Sequence, residues 1–340
     1  MTRSKFFAVM VVLAMAFFSS ACDETQTSPS PLPTPTVTPP AEAEYTFWVL
    51  ERGSNQPISG ATLVTSFGQF QTDETGKVVI RSTTSGFQIT VTAENCLPFV
   101  TAQRAGLTNL LIYCLHAAGN SELTAKQTIF ADSSAPGNNG PRPMYRLDGP
   151  VSIVLPQSFV DEWPDTVALL RVWGQNLQNE IGFPVVVGTS PAPGSAVFPL
   201  RIDPSIVERG WTAAVTWDIN NNRITGGGIV FAHPELYDLI VGHEFGHIFG
   251  LSHHTAVGLM NLRASPPWVY SENEVENIKL MLTWKPGTTW PLSDASSGIL
   301  ARSRFSGKQT VVIGCRQASR GIVDEVLLPQ AALAMRLLRK

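Results

Sequence analysis

Charge is scarce in this sequence. Acidic and basic residues together make up 15% of its 340 positions and the net charge is −3, so no basic surface suited to a nucleic-acid partner is expected. Long apolar runs are missing too. The stretch Phe6–Phe18 has thirteen apolar residues, too few to span a bilayer as a helix, and no later stretch is long and apolar enough to do so. Histidine is rare as well, with six in the chain, yet four of them fall within "HEFGHIFGLSHH", residues 243–254. Leucine would pack a core better than imidazole, so a cluster this dense points to a transition metal.

The spacing supports that reading residue by residue. His243 and His247 are four apart, one turn along the same face of a helix. A helix is expected to start at Pro234 and Glu235. It carries Leu236, Leu239, Ile240, Ile248 and Phe249 as apolar positions and stops at Gly250, since glycine accepts the left-handed conformation. Past that turn the chain can fold back and bring His253 to the same point. Three neutral imidazoles leave a tetrahedral zinc with its fourth position open to water. Glu244, next to the first ligand, is placed to act as general base toward a zinc-bound water. His254 competes with His253, but spacing favours His253, which leaves His254 solvated or behind the ligands. His116 and His233 are isolated and read as structural or surface residues.

The complete pattern His-Glu-x-x-His-x-x-Gly-x-x-His, formed by His243, Glu244, His247, Gly250 and His253, resembles the metzincin clan of zinc endopeptidases, and its matrixin branch most of all. That resemblance implies one catalytic Zn2+, an extended peptide or protein as substrate, and a methionine turn beneath the metal. "TAVGLMNL", residues 255–262, supplies Met260 for the turn. Two positions depart from relatives within the clan. Asn261 stands where matrixins usually have tyrosine, and Leu262 stands where astacin-like members place a tyrosine ligand, so no fifth protein ligand is expected.

The rest of the chain reads as appendages around that site. Arg3 and Lys5 precede the apolar run, and "SSAC" ends it, which together suit a signal peptide over residues 1–22. Cys22 follows a small residue, as in bacterial lipoprotein signals, where the cysteine is lipidated. Ser19 occupies a position that usually holds leucine, and cleavage nearby with simple secretion is the alternative. Residues 23–43 form a Pro/Thr/Ser tract that reads as a semi-rigid spacer. Residues 44–116 alternate as short strands broken by Gly and Asn/Asp turns, as in a small antiparallel sandwich. The stretch "NQPISGATLVTSFGQFQTDETGKVVI" is similar to carboxypeptidase-regulatory-like β-domains, which are accessory modules. Cys96 and Cys114 fall in late strands of that region and can pair in an oxidising compartment. Fourth zinc ligand of a latent enzyme is a rival role for Cys96, but "ENCLPF" lacks the surrounding matrixin latency motif.

Residues 117–290 are the expected catalytic domain. "GPVSIVLP", "FPVVVGT" and "AAVTWDI" read as strands, and Val167, Leu170, Leu177 and Ile181 recur at helical spacing before Gly182. "TGGGIVFAHPE" leads into the zinc helix, and the metzincin resemblance implies that it is the sheet edge bordering the cleft, able to pair with an extended peptide; its glycines 226–228 admit close backbone approach or form a loose loop tip. "ENEVENIKLMLTW" reads as a final helix with Val275, Ile278 and Leu282 inward. Residues 291–340 are an extension of unknown role, in which Cys315 has no evident mate.

The expected fold is therefore α+β: a metzincin-like zinc peptidase domain with a mixed sheet and long helices, preceded by a small all-β sandwich. The expected protein is exported from a bacterial cell and lipid-anchored at its envelope, or else secreted, and it cleaves peptides with Glu244 as base. Two other readings stay open: a surface-binding lipoprotein with a non-catalytic zinc site, and a zinc hydrolase acting on a non-protein amide such as a cell-wall peptide link.

Overall fold

The computed structural model describes residues 41–131, 142–261, 269–293 and 308–316. The leader, Cys22 and residues 23–40 of the spacer lie outside the described residues. No helix among the described residues is long and apolar enough to cross a membrane.

The first part of the chain is all strand. It runs β1 (Ala43–Glu51), β2 (Thr62–Thr65), β3 (Gly68–Gln71), β4 (Lys77–Ser82), β5 (Gln88–Thr92), β6 (Phe99–Ala102) and β7 (Asn109–Ile112). Strand alternation decides which residues turn inward: Phe47 and Val49 in β1, Val78 and Ile80 in β4, Ile89 and Val91 in β5 are buried, while their neighbours are more exposed. These residues meet Leu63, Leu110 and Ile112 in one apolar core. One sheet has the order β4-β1-β7. A second contains β6-β5-β2-β3. Cys96 and Cys114 lie opposite each other and form a disulfide, 18 residues apart in sequence.

The remainder forms a larger mixed α and β body with its own core. Its elements are α1 (Glu122–Phe130), β8 (Arg146–Leu147), β9 (Val151–Val154), α2 (Gln157–Glu162), α3 (Pro164–Ile181), β10 (Val185–Gly188), β11 (Ala196–Ile202), β12 (Trp211–Asn220), β13 (Arg223–Phe231), α4 (Asp238–Ile248), α5 (Glu272–Thr283), β14 (Leu292–Ser293) and β15 (Lys308–Arg316). Pro164 sits in the first turn of α3, Gly182 ends the helix in the left-handed conformation, and Val167, Leu170, Leu177 and Ile181 form its buried stripe. This helix is the crossover between the parallel strands β9 and β10. The sheet runs β10-β9-β11-β13-β12-β15, with β8 beside β13. β9, β10, β11 and β13 are parallel, whereas β12 and β15 are antiparallel to their neighbours. Trp217, Phe198 and Phe231 are among its fully buried side chains, each of a size whose burial stabilises by roughly 1.5–3 kcal/mol.

One expectation from the sequence is corrected here. The glycine-rich strand before the metal helix, β13, is not a sheet edge, because β11 and β12 flank it on its two sides. Its glycines serve the close approach of those strands: a β-carbon on Gly227 would lie 1.8 Å from the Thr216 carbonyl oxygen. The outer neighbour is β12, and β15 in turn covers β12. Two described stretches of the extension of unknown role, residues 291–340, form strands. β14 adds to the first part of the chain by pairing Leu292 with Phe99 of β6, and β15 completes the larger sheet.

The disulfide closes a loop of 18 residues, which in the chain-entropy picture stabilises by about 3 kcal/mol. Replacing Cys96 and Cys114 together by alanine is expected to lower the urea midpoint of unfolding of this β-rich part by a corresponding amount. An unchanged midpoint, together with no Cys96–Cys114 link in a non-reducing peptide map, would contradict this.

Candidate metal centre

Helix α4 carries the first two histidines, and its neighbours explain where it begins. Residues 234–237 are not helical, and Thr166 of α3 donates a hydrogen bond to the Pro234 carbonyl (3.1 Å). Helix starts at Asp238, whose carboxylate accepts from the Trp173 indole at 3.0 Å, four residues later than the proline suggests. Gly242 and Gly246 stand one turn apart and let other groups reach the helix backbone. A β-carbon at Gly242 would meet Trp173 at 2.5 Å and Leu259 at 2.6 Å, and one at Gly246 would meet the Met260 sulfur at 2.3 Å. Met260, fully buried, thus lies against the helix at Gly246. After α4 the chain turns through Gly250 at φ 93°, a left-handed conformation suited to glycine, and brings His253 back.

His243, His247 and His253 then face one another, with ring centroids 4.8–5.0 Å apart. The Nε2 atoms of His243 and His253 are 3.0 Å apart. Main-chain carbonyls set the direction of two rings: Nδ1–H of His243 donates to Leu259 O and Nδ1–H of His247 to Leu251 O, both at 2.8 Å. With those protons placed on Nδ1, the Nε2 lone pairs point inward, the arrangement a metal requires of its imidazole ligands. Burial keeps the rings neutral. Desolvation lowers the pKa of His243, and lowers that of His247 well below the usual range with help from the two neighbouring histidines; His253 is pushed down to about 3 for the same reasons.

A fourth side chain completes the group, one that the sequence reading left without a partner. The Cys315 sulfur of β15 lies 3.3 Å from His247 Nε2. The possible ligand atoms of His243, His247, His253 and Cys315 all lie within 4.8 Å of one another, and all four residues are buried. Together they form a group able to hold a metal ion. Glu244 borders it and is completely buried. Neither of its carboxylate oxygens has a hydrogen-bonding nitrogen or oxygen nearby. Desolvation raises its pKa to about 8, with the Cys315 thiol as the opposing influence. Neutral imidazoles converging beside a buried carboxylate that has only the Cys315 thiol as partner fit a cation better than they fit an apolar core.

Glu274 on α5 holds this arrangement from behind. Ser271 and Glu274 form a reciprocal capping box at the start of the helix, and the carboxylate accepts further bonds from the backbone N–H of Leu259 (3.0 Å) and of Met260. It also meets His254 Nε2 at 2.9 Å. Burial alone would raise its pKa, but the bonds from His254, Met260 and Ser271 hold it below the usual carboxylate value. The inward face of α5 is accordingly polar at Asn273, Glu274 and Asn277, with Ile278 and Met281 buried beside them, while Val275 and Leu282 are half-buried. His254 is buried and lies behind the ligands. His116 has an exposed side chain that pairs with Glu51.

Sequence reasoning missed Glu274 and Cys315. The Ser-x-x-Glu spacing at 271–274 ahead of an apolar run was a visible capping signal. Cys315 sits in an alternating run that reads as a strand, but no local pattern says which strand it pairs with. No protein-family model matches this chain, and no curated protein matches it in sequence.

Glu274→Gln keeps the volume but weakens the support of the Leu259 carbonyl that aims His243. Metal affinity is expected to fall about 10–100-fold, as for partners that orient metal ligands, with the helical circular dichroism retained. Titration with a competing chelator measures it; wild-type affinity in the variant would contradict the assigned role.

Proposed function

We propose that this chain is a zinc-dependent endopeptidase of metzincin type, with His243, His247 and His253 as metal ligands and Glu244 as general base. One observation carries the reading. Three imidazoles aimed at one point stand beside a buried carboxylate that has no nitrogen or oxygen partner of its own, and a stable core gives no reason to keep such a carboxylate. Zinc bound to these ligands would supply Lewis acidity and bring the pKa of water toward neutrality. The protein's own part is to hold the imidazoles neutral, to exclude bulk water by burial, and to move a proton. Glu244 would accept a proton on a carboxylate oxygen and pass it to the nitrogen of the leaving amine. An extended peptide is the natural substrate class because backbone pairing along a sheet edge binds it without demanding a particular sequence.

The same chemistry serves a non-protein amide, such as a cell-wall peptide link. Cys315 favours a further reading. Four protein ligands with no open position is the pattern of a structural site, which would suit a surface-binding lipoprotein. A structural ion has no use for a buried base, so Glu244 weighs against it. Export, with lipid attachment at Cys22 of a bacterial envelope protein, is part of the proposal; the Cys96–Cys114 disulfide supports an oxidising compartment.

Zinc content and cleavage of a peptide library are to be measured on the same preparations, in the native chain and with Cys315→Ser. Alanine at His243, His247 or His253 is expected to reduce zinc and cleavage together. Glu244→Ala is expected to keep about one zinc per chain while cleavage falls ~10²–10⁴-fold, the scale of a lost general base. Full activity in the Glu244→Ala protein would overturn the mechanism, and zinc binding without any cleavage in the Cys315→Ser chain would overturn the peptidase reading.

A further inference from the structure

We propose that the chain's own C-terminal strand fills the peptide-binding edge of the sheet and delivers Cys315 as the fourth ligand of the metal, so that the centre is closed until β15 is displaced. This rests on the peptidase reading above. β15 pairs antiparallel with β12 from Asn220↔Lys308 to Ala213↔Cys315. β12 is the strand whose outer side would otherwise be the free edge of the sheet, and a bound peptide would take the same hydrogen bonds. The indole of Trp217, midway along β12, donates to the His247 carbonyl at 2.8 Å, so this strand touches the metal helix directly.

The register of β15 is what makes its last residues a cap. Val311, Ile313 and Cys315 share the inward face, while Thr310 and Val312 are exposed. A slip by one residue would turn Cys315 out and Gly314 in. Gly314 prevents that slip, because it lies flat against Trp211: a β-carbon there would sit 2.1 Å from the indole ring. The Arg209 guanidinium also lies over that ring, 5.6 Å from its centroid. With the register fixed, the sulfur stands 3.3 Å from His247 Nε2 and next to the Glu244 carboxylate. That is the space between ligands and base that a water must occupy for hydrolysis. A metal there takes the thiolate, and the open position that distinguishes a catalytic from a structural site is lost.

The test uses the full chain loaded with cobalt(II), whose bond to a thiolate gives a near-ultraviolet charge-transfer absorption. The wild type is expected to show that absorption, and Cys315→Ser to lose it while still binding one cobalt through the histidines. Gly314→Val keeps the cysteine but forces the strand off Trp211, and it is expected to lose the absorption as well. A synthetic peptide of residues 308–316 added to the Gly314→Val protein is expected to restore it. Peptide cleavage is expected to rise about ten-fold or more in Gly314→Val, where the edge and the fourth metal position are both released, as follows if the open form of the wild type is a tenth of the population or less. No thiolate absorption in the wild type would overturn the proposal. So would cleavage by the wild type at the same rate as by Gly314→Val. If the absorption behaves as described and the added peptide restores it, but no variant cleaves any peptide, the peptidase reading fails and the strand's occupancy of the centre stands.

Discussion

An imidazole can offer either ring nitrogen to a metal, and at this centre the main chain makes the choice. The carbonyls of Leu251 and Leu259 take the Nδ1 protons of His247 and His243, which leaves Nε2 as the inward base on both rings. Everything around the site serves to keep those two carbonyls in place. Leu251 follows the Gly250 turn. Leu259 is held by Glu274, whose carboxylate collects its N–H together with those of Met260 and Ser271. A buried carboxylate with so many donors is a costly group to remove, because each donor would be left unsatisfied in a low-dielectric setting.

Close packing against α4 depends on what the helix lacks. Gly242 and Gly246 present bare backbone, and Trp173, Leu259 and Met260 use the space. Glycine inside a helix costs about 1 kcal/mol relative to alanine, so two of them in eleven residues make α4 a poor helix in isolation. Tertiary contacts compensate: Trp173 bonds to Asp238 at its start, the Tyr270 hydroxyl donates to the Gly242 carbonyl in its middle, and Trp217 bonds to the His247 carbonyl at its end. The helix that carries the ligands is thus shaped from outside.

Much of this was legible in residue order, and the reason is local geometry. The i, i+4 spacing of His243 and His247, the glycine turn and the return to His253 are set within eleven residues, so a short pattern contained their convergence. α3 was equally plain, because Val167, Leu170, Leu177 and Ile181 repeat at the helical period between a proline and a glycine. The order of strands was not legible. The metzincin resemblance implied that β13 is an open edge, yet its glycines let two neighbouring strands come near, which only the paired sheet can show. Cys315 is the extreme case. It stands 68 residues from the histidine it approaches, and non-local strand pairing leaves no trace in a single sequence beyond alternation.

The placement of Cys315 on the same chain as the histidines also changes the arithmetic of competition. A ligand in cis meets its site at an effective concentration in roughly the millimolar range or above for a short tether, with no bimolecular encounter needed. A free thiol, an anion or a peptide arriving from solution competes against that local supply rather than against bulk water. Under the proposed ligation by Cys315, weak outside ligands at micromolar levels would leave the centre unchanged. What shifts it is anything that lengthens or loosens the tether, since effective concentration falls steeply once the strand no longer holds its register.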